Sequence, residues 1–209
     1  MKNNVCTIYL VRHGRTDWND KKLVQGHTNI PLNLEGQTTA QELAKEFRDI
    51  KFDKIYTSDL SRARETAEII ALGHKLAVET TKALRERNFG NVEGKSHDIF
   101  PEMNRLLDSL DDKTRYSYKF DSNMEMENDE EVMNRFIPFL REIAIANPGK
   151  TVLVVAHGGP MWMFLVKLGF SDYQHFLEIN NLAHIKLESD GVDFFIKETK
   201  GIEKREPVL

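Results

Sequence analysis

The chain has 209 residues, of which 40% are hydrophobic and 30% charged, and its 29 basic and 33 acidic residues leave a net charge of −4. This composition argues against intrinsic disorder and against non-specific nucleic-acid binding, which requires a clustered excess of positive charge. The single cysteine, Cys6, excludes an internal disulfide framework, and the longest apolar runs are far shorter than the roughly 20 residues that span a bilayer, so we expect a cytoplasmic protein with no nucleic-acid or membrane partner.

Strands and helices alternate along the first part of the chain. An apolar run over residues 7–11 predicts a buried strand that leads into a loop. Apolar residues at helical spacing predict a helix over residues 61–72, and Gly73 just beyond it is a typical C-terminal cap. The same criteria predict a helix over 34–47 and further strands over 52–58 and 77–80.

The middle of the chain carries weaker signals. Residues 84–94 have no clean period and predict a loop, and residues 98–110 are weakly helical. Residues 111–127 are polar and without period, which is typical of a lid or a mobile loop. We therefore expect a lid-like insertion over about residues 95–127.

Clear signals return with Asn128, because Glu131 follows three positions later in the pattern of a capping box at a helix start. This helix is expected to end at Asn147-Pro148-Gly149. The remaining predicted elements are a buried strand over 151–156, a helix that begins at Pro160 and ends at Gly169, a hairpin over 184–187 and 192–197, and a frayed tail of twelve residues.

No repeat or linker divides the chain, so we predict a single domain over residues 1–209. Strands that alternate with helices indicate an α/β fold. We expect a three-layer α/β/α sandwich with a mostly parallel central sheet and one antiparallel edge strand from the final hairpin.

Two predicted strands end in nearly the same way, with His13-Gly14 after the first and His157-Gly158 after the later one. Ligands bind at the carboxyl ends of strands in parallel α/β sheets, so both imidazoles are expected on one rim. The two glycines leave room for backbone N–H groups to approach a ligand. The helix that follows His157 directs its positive N-terminus toward the same rim, which favours an anion.

Two arginines indicate which anion this rim would bind. Arg12 precedes the first histidine, and Arg62 begins the helix that follows another strand. A guanidinium group matches phosphate oxygens in bidentate fashion, whereas two of them would repel a metal dication. The nearest metal-binding set, His13, His27, His157 and Glu86, has no ligand-pair spacing, so we expect a phosphorylated ligand and neither a metal nor a cofactor.

Five ordered blocks between residues 8 and about 160 resemble the histidine phosphatase superfamily, the clan of the phosphoglycerate mutases and many small phosphatases. The resemblance implies a phosphoglycerate mutase-like fold. The blocks are Leu10-Val11-Arg12-His13-Gly14-Arg15-Thr16-Asp17-Trp18-Asn19, Gln25-Gly26 through Pro31-Leu32-Asn33 and Gly36, Thr57-Ser58-Asp59-Leu60-Ser61-Arg62-Ala63, Leu84-Arg85-Glu86 with Phe89-Gly90, and Ala156-His157-Gly158-Gly159.

The resemblance implies a role for each site residue. His13 would be the nucleophile and would form a phosphohistidine, while Glu86 would protonate the leaving oxygen and then deprotonate water. Arg12, Arg62 and His157 would clamp the phosphoryl oxygens. Asn19, Gln25, Gly26, Gly14 and Gly158 would line the substrate side.

The sequence departs from the family pattern in places. An arginine often follows the second-histidine block in the family, and here Met161-Trp162-Met163 stands there. A family Gly-Glu-Ser stretch is reduced to Glu127 alone, which leaves a role at the site or a plain helix-start charge as alternatives. Asn181 resembles a late family asparagine that supports the site, and a turn residue is the other interpretation.

The sequence favours the phosphatase branch of the superfamily. Phe89-Gly90 is followed by Asn91-Val92-Glu93-Gly94, without the Leu-Gln-Gly stretch of the glycolytic mutases. We therefore expect a metal-independent phosphatase that acts on a small phosphomonoester metabolite. A bisphosphoglycerate-dependent mutase and a catalytically weak phosphate-binding or scaffold protein remain alternatives, and a homodimer remains open.

Overall fold

The computed structural model describes residues 5–173 and 177–204. No helix in those residues is both long enough and apolar enough to cross a membrane. The strands are β1 (Cys6–Arg12), β2 (Lys54–Ser58), β3 (Val78–Thr81), β4 (Thr151–Ala156), β5 (Leu177–Ser189) and β6 (Phe194–Lys204). The α-helices are α1 (Asp17–Asp20), α2 (Leu34–Glu46), α3 (Ser61–His74), α4 (Phe100–Asp108), α5 (Asp112–Tyr116), α6 (Asp129–Ala146) and α7 (Gly158–Lys167).

The strands form one sheet in the order β3-β2-β4-β1-β5-β6. The first four in this order are mutually parallel, and β5 is antiparallel both to β1 and to β6. The predicted α/β sandwich with a mostly parallel sheet and a C-terminal hairpin is therefore confirmed. The predicted edge position of the antiparallel strand is wrong, because the antiparallel strand β5 is second from the edge and β6 is the edge strand.

Helices cover both faces of the sheet because side chains alternate along the buried strands. In β4, Val152 and Val154 point into the core beneath α6 and α7, and Leu153 and Val155 point into the core beneath α2 and α3. Ile8 and Leu10 of β1 join the first of these cores and Val11 joins the second. The two cores hold β1 and β4 side by side, which fixes the positions of the residues that follow them.

The structure corrects the predicted ends of two helices. Helix α3 continues through Gly73 to His74, and Lys75 takes the left-handed conformation with φ of 56°. Helix α7 begins at Gly158, so Pro160 is its third residue and not its first. Proline is tolerated there because first-turn N–H groups have no intrahelical partner.

The hairpin strands are longer than predicted, and residues 198–204 belong to β6 instead of a frayed tail. Residues 205–209 lie outside the described residues. Alternating burial in β5 is interrupted between Ile179 and His184, where the pairing with β6 shifts register. Because of this irregularity, the first half of β5 lacks the continuous alternation that predicts a strand from sequence.

Residues 95–127 contain helices α4 and α5 and are attached to the body at both ends. Ser96 forms an isolated β-bridge with Leu23. At the other end, the Glu127 N–H donates to the carbonyl oxygen of Asn88 over 3.0 Å. Helix α4 agrees with the weak helical signal over residues 98–110, whereas α5 lies where the sequence predicted a loop. The role of the segment as a lid remains a prediction.

Candidate active site

The two histidines meet at the carboxyl ends of neighbouring parallel strands. Arg12, the last residue of β1, is in register with Ala156, the last residue of β4. The His13 N–H donates to the carbonyl oxygen of Ala156 over 3.0 Å. As a result, the imidazole rings of His13 and His157 lie 5.1 Å apart between centroids, as expected from the sequence.

The buried ring of His13 has a defined tautomer. Its Nδ1 lies 2.7 Å from the carbonyl oxygen of Gly14. Because a carbonyl oxygen can only accept, Nδ1 carries the hydrogen and Nε2 keeps its lone pair. Burial lowers the pKa of His13 well below its usual value, and the charges of Arg62 and Arg12 lower it further. The ring is therefore neutral at neutral pH and presents a nucleophilic nitrogen.

The backbone around His13 is held by two side chains distant in sequence. Asn181, in the irregular part of β5, donates from Nδ2 to the carbonyl oxygen of His13 over 3.0 Å. The N–H of Gly14 donates to Oγ1 of Thr66 over 3.0 Å, and that hydroxyl donates to the carbonyl oxygen of Arg62. This N–H is therefore not open to a ligand, contrary to the expectation from the sequence, and Asn181 supports the site as its family resemblance implies.

Arg62 is completely buried in the first turn of α3. Its Nη1 donates to the carbonyl oxygen of Thr28 over 3.0 Å, and its Nη2 donates to that of Gly26 over 2.8 Å. Burial lowers the pKa of Arg62 to about 10, while the carboxylate of Glu86 opposes this shift. Gly26, with φ of 50°, thus acts on the guanidinium through its backbone.

Arg12 lies against the start of α7. Its Nη1 donates to the carbonyl oxygen of Ile179, next to the irregular part of β5. A Cβ atom on Gly158 would lie only 3.3 Å from Nε of Arg12. Gly158 therefore makes room for a guanidinium at the helix N-terminus, and burial lowers the pKa of that guanidinium.

The carboxylate of Glu86 lies at the same helix N-terminus. Its Oε2 accepts from the N–H of Gly159 over 3.1 Å, and its Oε1 accepts from the N–H of Arg87 over 2.8 Å. A side chain on Gly159 would overlap this carboxylate. The proposed acid is therefore within reach of the rim on which both histidines lie.

Four buried nitrogen atoms of these side chains have no hydrogen-bond partner among the described residues: Nε of Arg12, Nε of Arg62, and both ring nitrogens of His157. Leaving a buried polar group without a partner costs about 1–3 kcal/mol. Burial lowers the pKa of His157 well below its usual value, and Arg62, His13 and Arg12 contribute to the shift. The Nε–H groups of Arg12 and Arg62 and the one N–H of the neutral His157 ring are thus free to donate near His13, and buried donors without partners favour an anion.

Asn19 and Gln25 differ in the hydrogen bonds that their side-chain oxygens make within the protein. Oδ1 of Asn19 accepts from the N–H of Thr16 over 3.1 Å and from its hydroxyl over 3.0 Å, as part of the capping box of α1. Gln25 is buried, and its Oε1 has no partner among the described residues. Asn19 therefore contributes to the local fold, and a contact with substrate remains a prediction for both.

Two charged residues without a predicted role organise the loop around Glu86. Arg135 of α6 donates to carbonyl oxygens of this loop and forms an ion pair with Glu127 over 2.9 Å. Glu93 accepts from the N–H groups of His27 and Thr28 over 2.7 and 2.8 Å. Sequence gives no signal for Arg135, whereas Glu127 is the one residue kept from the family's Gly-Glu-Ser stretch.

Met161, Trp162 and Met163, which stand where the family often has an arginine, are buried in the core beneath α6 and α7. Sδ of Met163 accepts a hydrogen bond from Nη2 of Arg87 over 3.2 Å. This part of α7 is therefore packed into the core, with the Arg87 guanidinium beside Met163.

Comparisons with known proteins identify the family of the chain. The family model of the histidine phosphatase superfamily (branch 1) matches residues 8–200. The uncharacterised phosphatase PhoE of Bacillus subtilis (strain 168) is 35% identical over 168 residues, which cover 80% of each chain. The crystal structure of a phosphoglycerate mutase from Bacillus anthracis superposes with a TM-score of 0.81 at 27% identity, over 96% of this chain and 94% of that one.

A second similar solved structure contains a phosphorylated ligand. It is a phosphoserine phosphatase mutant from Entamoeba histolytica in complex with phosphoserine, with a TM-score of 0.75 and 25% identity over 93% of this chain and 96% of that one. The family match spans nearly all of the described residues, and the phosphatase relative is similar over most of its length. The chain belongs to the histidine phosphatase superfamily.

Proposed function

We propose that this protein is a metal-independent phosphatase that hydrolyses a small phosphomonoester through a phosphohistidine on His13. The observation that carries the proposal is the group of unpartnered buried nitrogens of Arg12, Arg62 and His157 around a neutral His13. Membership of the superfamily and the phosphatase name of its Bacillus subtilis relative support the same reaction.

In the first step, the lone pair on Nε2 of His13 attacks phosphorus. A P–N bond forms, the ester P–O bond breaks, and the leaving oxygen takes a proton from Glu86. The guanidiniums of Arg12 and Arg62 and the ring of His157 hold the phosphoryl oxygens as charge redistributes. The carbonyl oxygen of Gly14 accepts from Nδ1–H and stabilises the positive charge that the ring gains.

In the second step, water attacks the phosphohistidine. The carboxylate of Glu86 takes a proton from that water, the P–N bond breaks, and its electron pair returns to Nε2 of His13. Glu86 is protonated again for the next turnover, and inorganic phosphate leaves. The helix N-terminus next to Glu86 attracts the anionic substrate and product.

The positive charge for this chemistry comes from the protein itself. Arg12 and Arg62 supply two guanidiniums at the site, and each is held by a backbone carbonyl oxygen. A divalent metal placed between them would be repelled. We therefore propose that turnover needs no metal. We also propose a cytoplasmic location, since the lone and buried Cys6 forms no disulfide within the chain.

Hydrolysis of p-nitrophenyl phosphate tests the proposal. We expect steady release of phosphate that a metal chelator leaves unchanged and that His13→Ala abolishes. Failure to release phosphate from any member of a panel of small phosphomonoesters would contradict it. Incubation with 3-phosphoglycerate and 2,3-bisphosphoglycerate separates a phosphatase from a mutase, and interconversion of phosphoglycerates faster than their hydrolysis would favour the mutase.

A further inference from the structure

We propose that Arg135 is a positioning residue for the general acid, which it serves by fixing the backbone of the loop that carries Glu86. This inference rests on the proposed function. It assigns the orientation of the Glu86 carboxyl group, which transfers the proton, to a residue outside the phosphate site. The carboxylate of Glu127 is the counter-ion that orients the Arg135 guanidinium.

Every N–H group of the Arg135 guanidinium has an acceptor. Nη1 donates to the carbonyl oxygens of Ala83 and Arg85 over 3.0 and 2.7 Å, and Nη2 donates to that of Glu86 over 2.8 Å. Nε and Nη2 also donate to the two carboxylate oxygens of Glu127, over 3.0 and 2.9 Å. With its five donors used, Arg135 has none left for a phosphate oxygen.

Arg135 holds the backbone of the loop, in addition to the ion pairs that Arg85 and Arg87 make through their side chains. Residues 85–89 belong to neither a helix nor a strand, so no regular ladder fixes the direction of the Glu86 side chain. Apart from Arg135, only Nε2 of His27 is recorded within hydrogen-bond distance of the Glu86 carbonyl oxygen among the described residues, at 2.9 Å. The carboxylate at the other end of the same residue must reach Gly159.

Glu127 binds both the Arg135 guanidinium and the backbone of the loop. Its Oε2 accepts from the N–H of Asn88 over 2.8 Å, in addition to its ion pair with Arg135. Burial raises the pKa of Glu127, but the hydrogen bonds from Arg135 and Asn88 outweigh it, and the net shift is downward. Glu127 is therefore ionised at neutral pH and holds the guanidinium in one orientation. A general acid that is misplaced by about 1 Å can lose a hundredfold in rate.

Leaving-group dependence separates a positioning role from a merely structural one. Phenyl phosphate needs a proton on its leaving oxygen more than p-nitrophenyl phosphate does, because phenolate is the stronger base. We expect Arg135→Ala to lower kcat/KM for phenyl phosphate by about 10–100-fold and for p-nitrophenyl phosphate by less than about 3-fold. Arg135→Lys and Glu127→Gln should give the same bias to a smaller degree, with unchanged circular dichroism spectra.

Arg141→Ala is the matched control. This exposed arginine lies on the same helix, and its side chain donates a hydrogen bond to the carbonyl oxygen of Val192, far from the Glu86 loop in sequence. It should leave both substrates unaffected. The double variant Arg135→Ala/Glu86→Gln should discriminate between the substrates no more than Glu86→Gln alone, since both changes act on one proton transfer.

Equal losses on both esters in Arg135→Ala, Arg135→Lys and Glu127→Gln would overturn the positioning role while leaving the phosphatase proposal intact. A double variant with the sum of two independent leaving-group effects would also overturn it. If the unmodified protein hydrolysed neither ester nor any other monoester of the panel, the proposed function would fail, and this inference would fail with it.

Discussion

Neutral imidazoles beside two guanidiniums determine how this site responds to protons. Burial first, and then the positive charges of Arg62 and Arg12, lower the pKa values of His13 and His157 well below the ordinary value of about 6.5. A lowered pKa means that the neutral form persists as the pH falls. The neutral, nucleophilic form of His13 is thus present near neutral pH. A bound phosphate dianion would raise the pKa of His157 and so favour its protonation.

We predict that both imidazoles remain neutral at about pH 6, where an unperturbed histidine is mostly charged. Saturating inorganic phosphate should raise the pKa of His157, because a nearby negative charge favours the protonated ring. Titration of the ring C–H resonances by NMR, with His13→Asn and His157→Asn for assignment, measures both effects. Ordinary titration near pH 6.5, unmoved by phosphate, would contradict the charge arrangement described here.

Arg62→Lys tests whether a point charge can replace the guanidinium. An ammonium group cannot hold the carbonyl oxygens of Gly26 and Thr28 and also present a fixed donor to phosphate. We expect kcat/KM for p-nitrophenyl phosphate to fall by about 10²–10³-fold, the usual cost of removing one preorganised donor. Arg64→Lys, two residues along α3 at an exposed position, is the control and should retain activity. Near-normal turnover in Arg62→Lys would remove this residue from the phosphate clamp.

At the scale of single elements, helix ends were predicted less well than helix existence. Glycine is favoured at left-handed caps, so Gly73 was assigned the cap of α3. In the structure Lys75 occupies that conformation and Gly73 lies inside the helix. In contrast, the capping box of Asn128 and Glu131 was predicted correctly, because both halves of that motif are visible in sequence.

Gly73→Ala discriminates between the two positions of the helix end. Within the helix, a Cβ atom on Gly73 would meet nothing within 4 Å. Alanine should then raise the free energy of unfolding by about 0.5–1 kcal/mol, measured by urea titration. Gly36→Ala is the opposite case, since its Cβ would overlap the backbone of Arg15, and it should destabilise the protein. A destabilised Gly73→Ala variant would restore Gly73 as the cap.

At the scale of the whole molecule, the sequence predicted the α/β sandwich and a common rim for His13 and His157, but neither the length of β5 nor its place inside the sheet edge. Buried strands such as β4 are largely apolar, and the residue after a parallel strand lies at its carboxyl rim, so His13 and His157 could be predicted to share one rim without coordinates. Long-range supports could not be found in this way. Arg135 lies 49 residues from Glu86, and no local pattern links the two. Asn181, which lies 168 residues from His13, is indicated only by its resemblance to a late family asparagine.

Phosphate binding should stabilise the whole fold, because the site draws residues from β1, α3 and α7 together. A ligand that binds only the folded state at about 100 times its Kd contributes about 2.7 kcal/mol. We expect inorganic phosphate to raise the unfolding temperature of the protein measured by calorimetry, relative to chloride at matched ionic strength. Arg62→Lys should lose most of this increase, and an equal increase in that variant would place phosphate elsewhere.

Rapid chemical quench with ³²P-labelled substrate tests the central claim most directly, because it asks whether phosphorus passes through Nε2 of His13. Quenching into alkali within one turnover, followed by mass spectrometry of the digest, should show phosphate on that ring nitrogen, appearing and decaying at rates that account for turnover. Label on His157 or on any other residue, or full turnover with His13 never modified, would contradict the account.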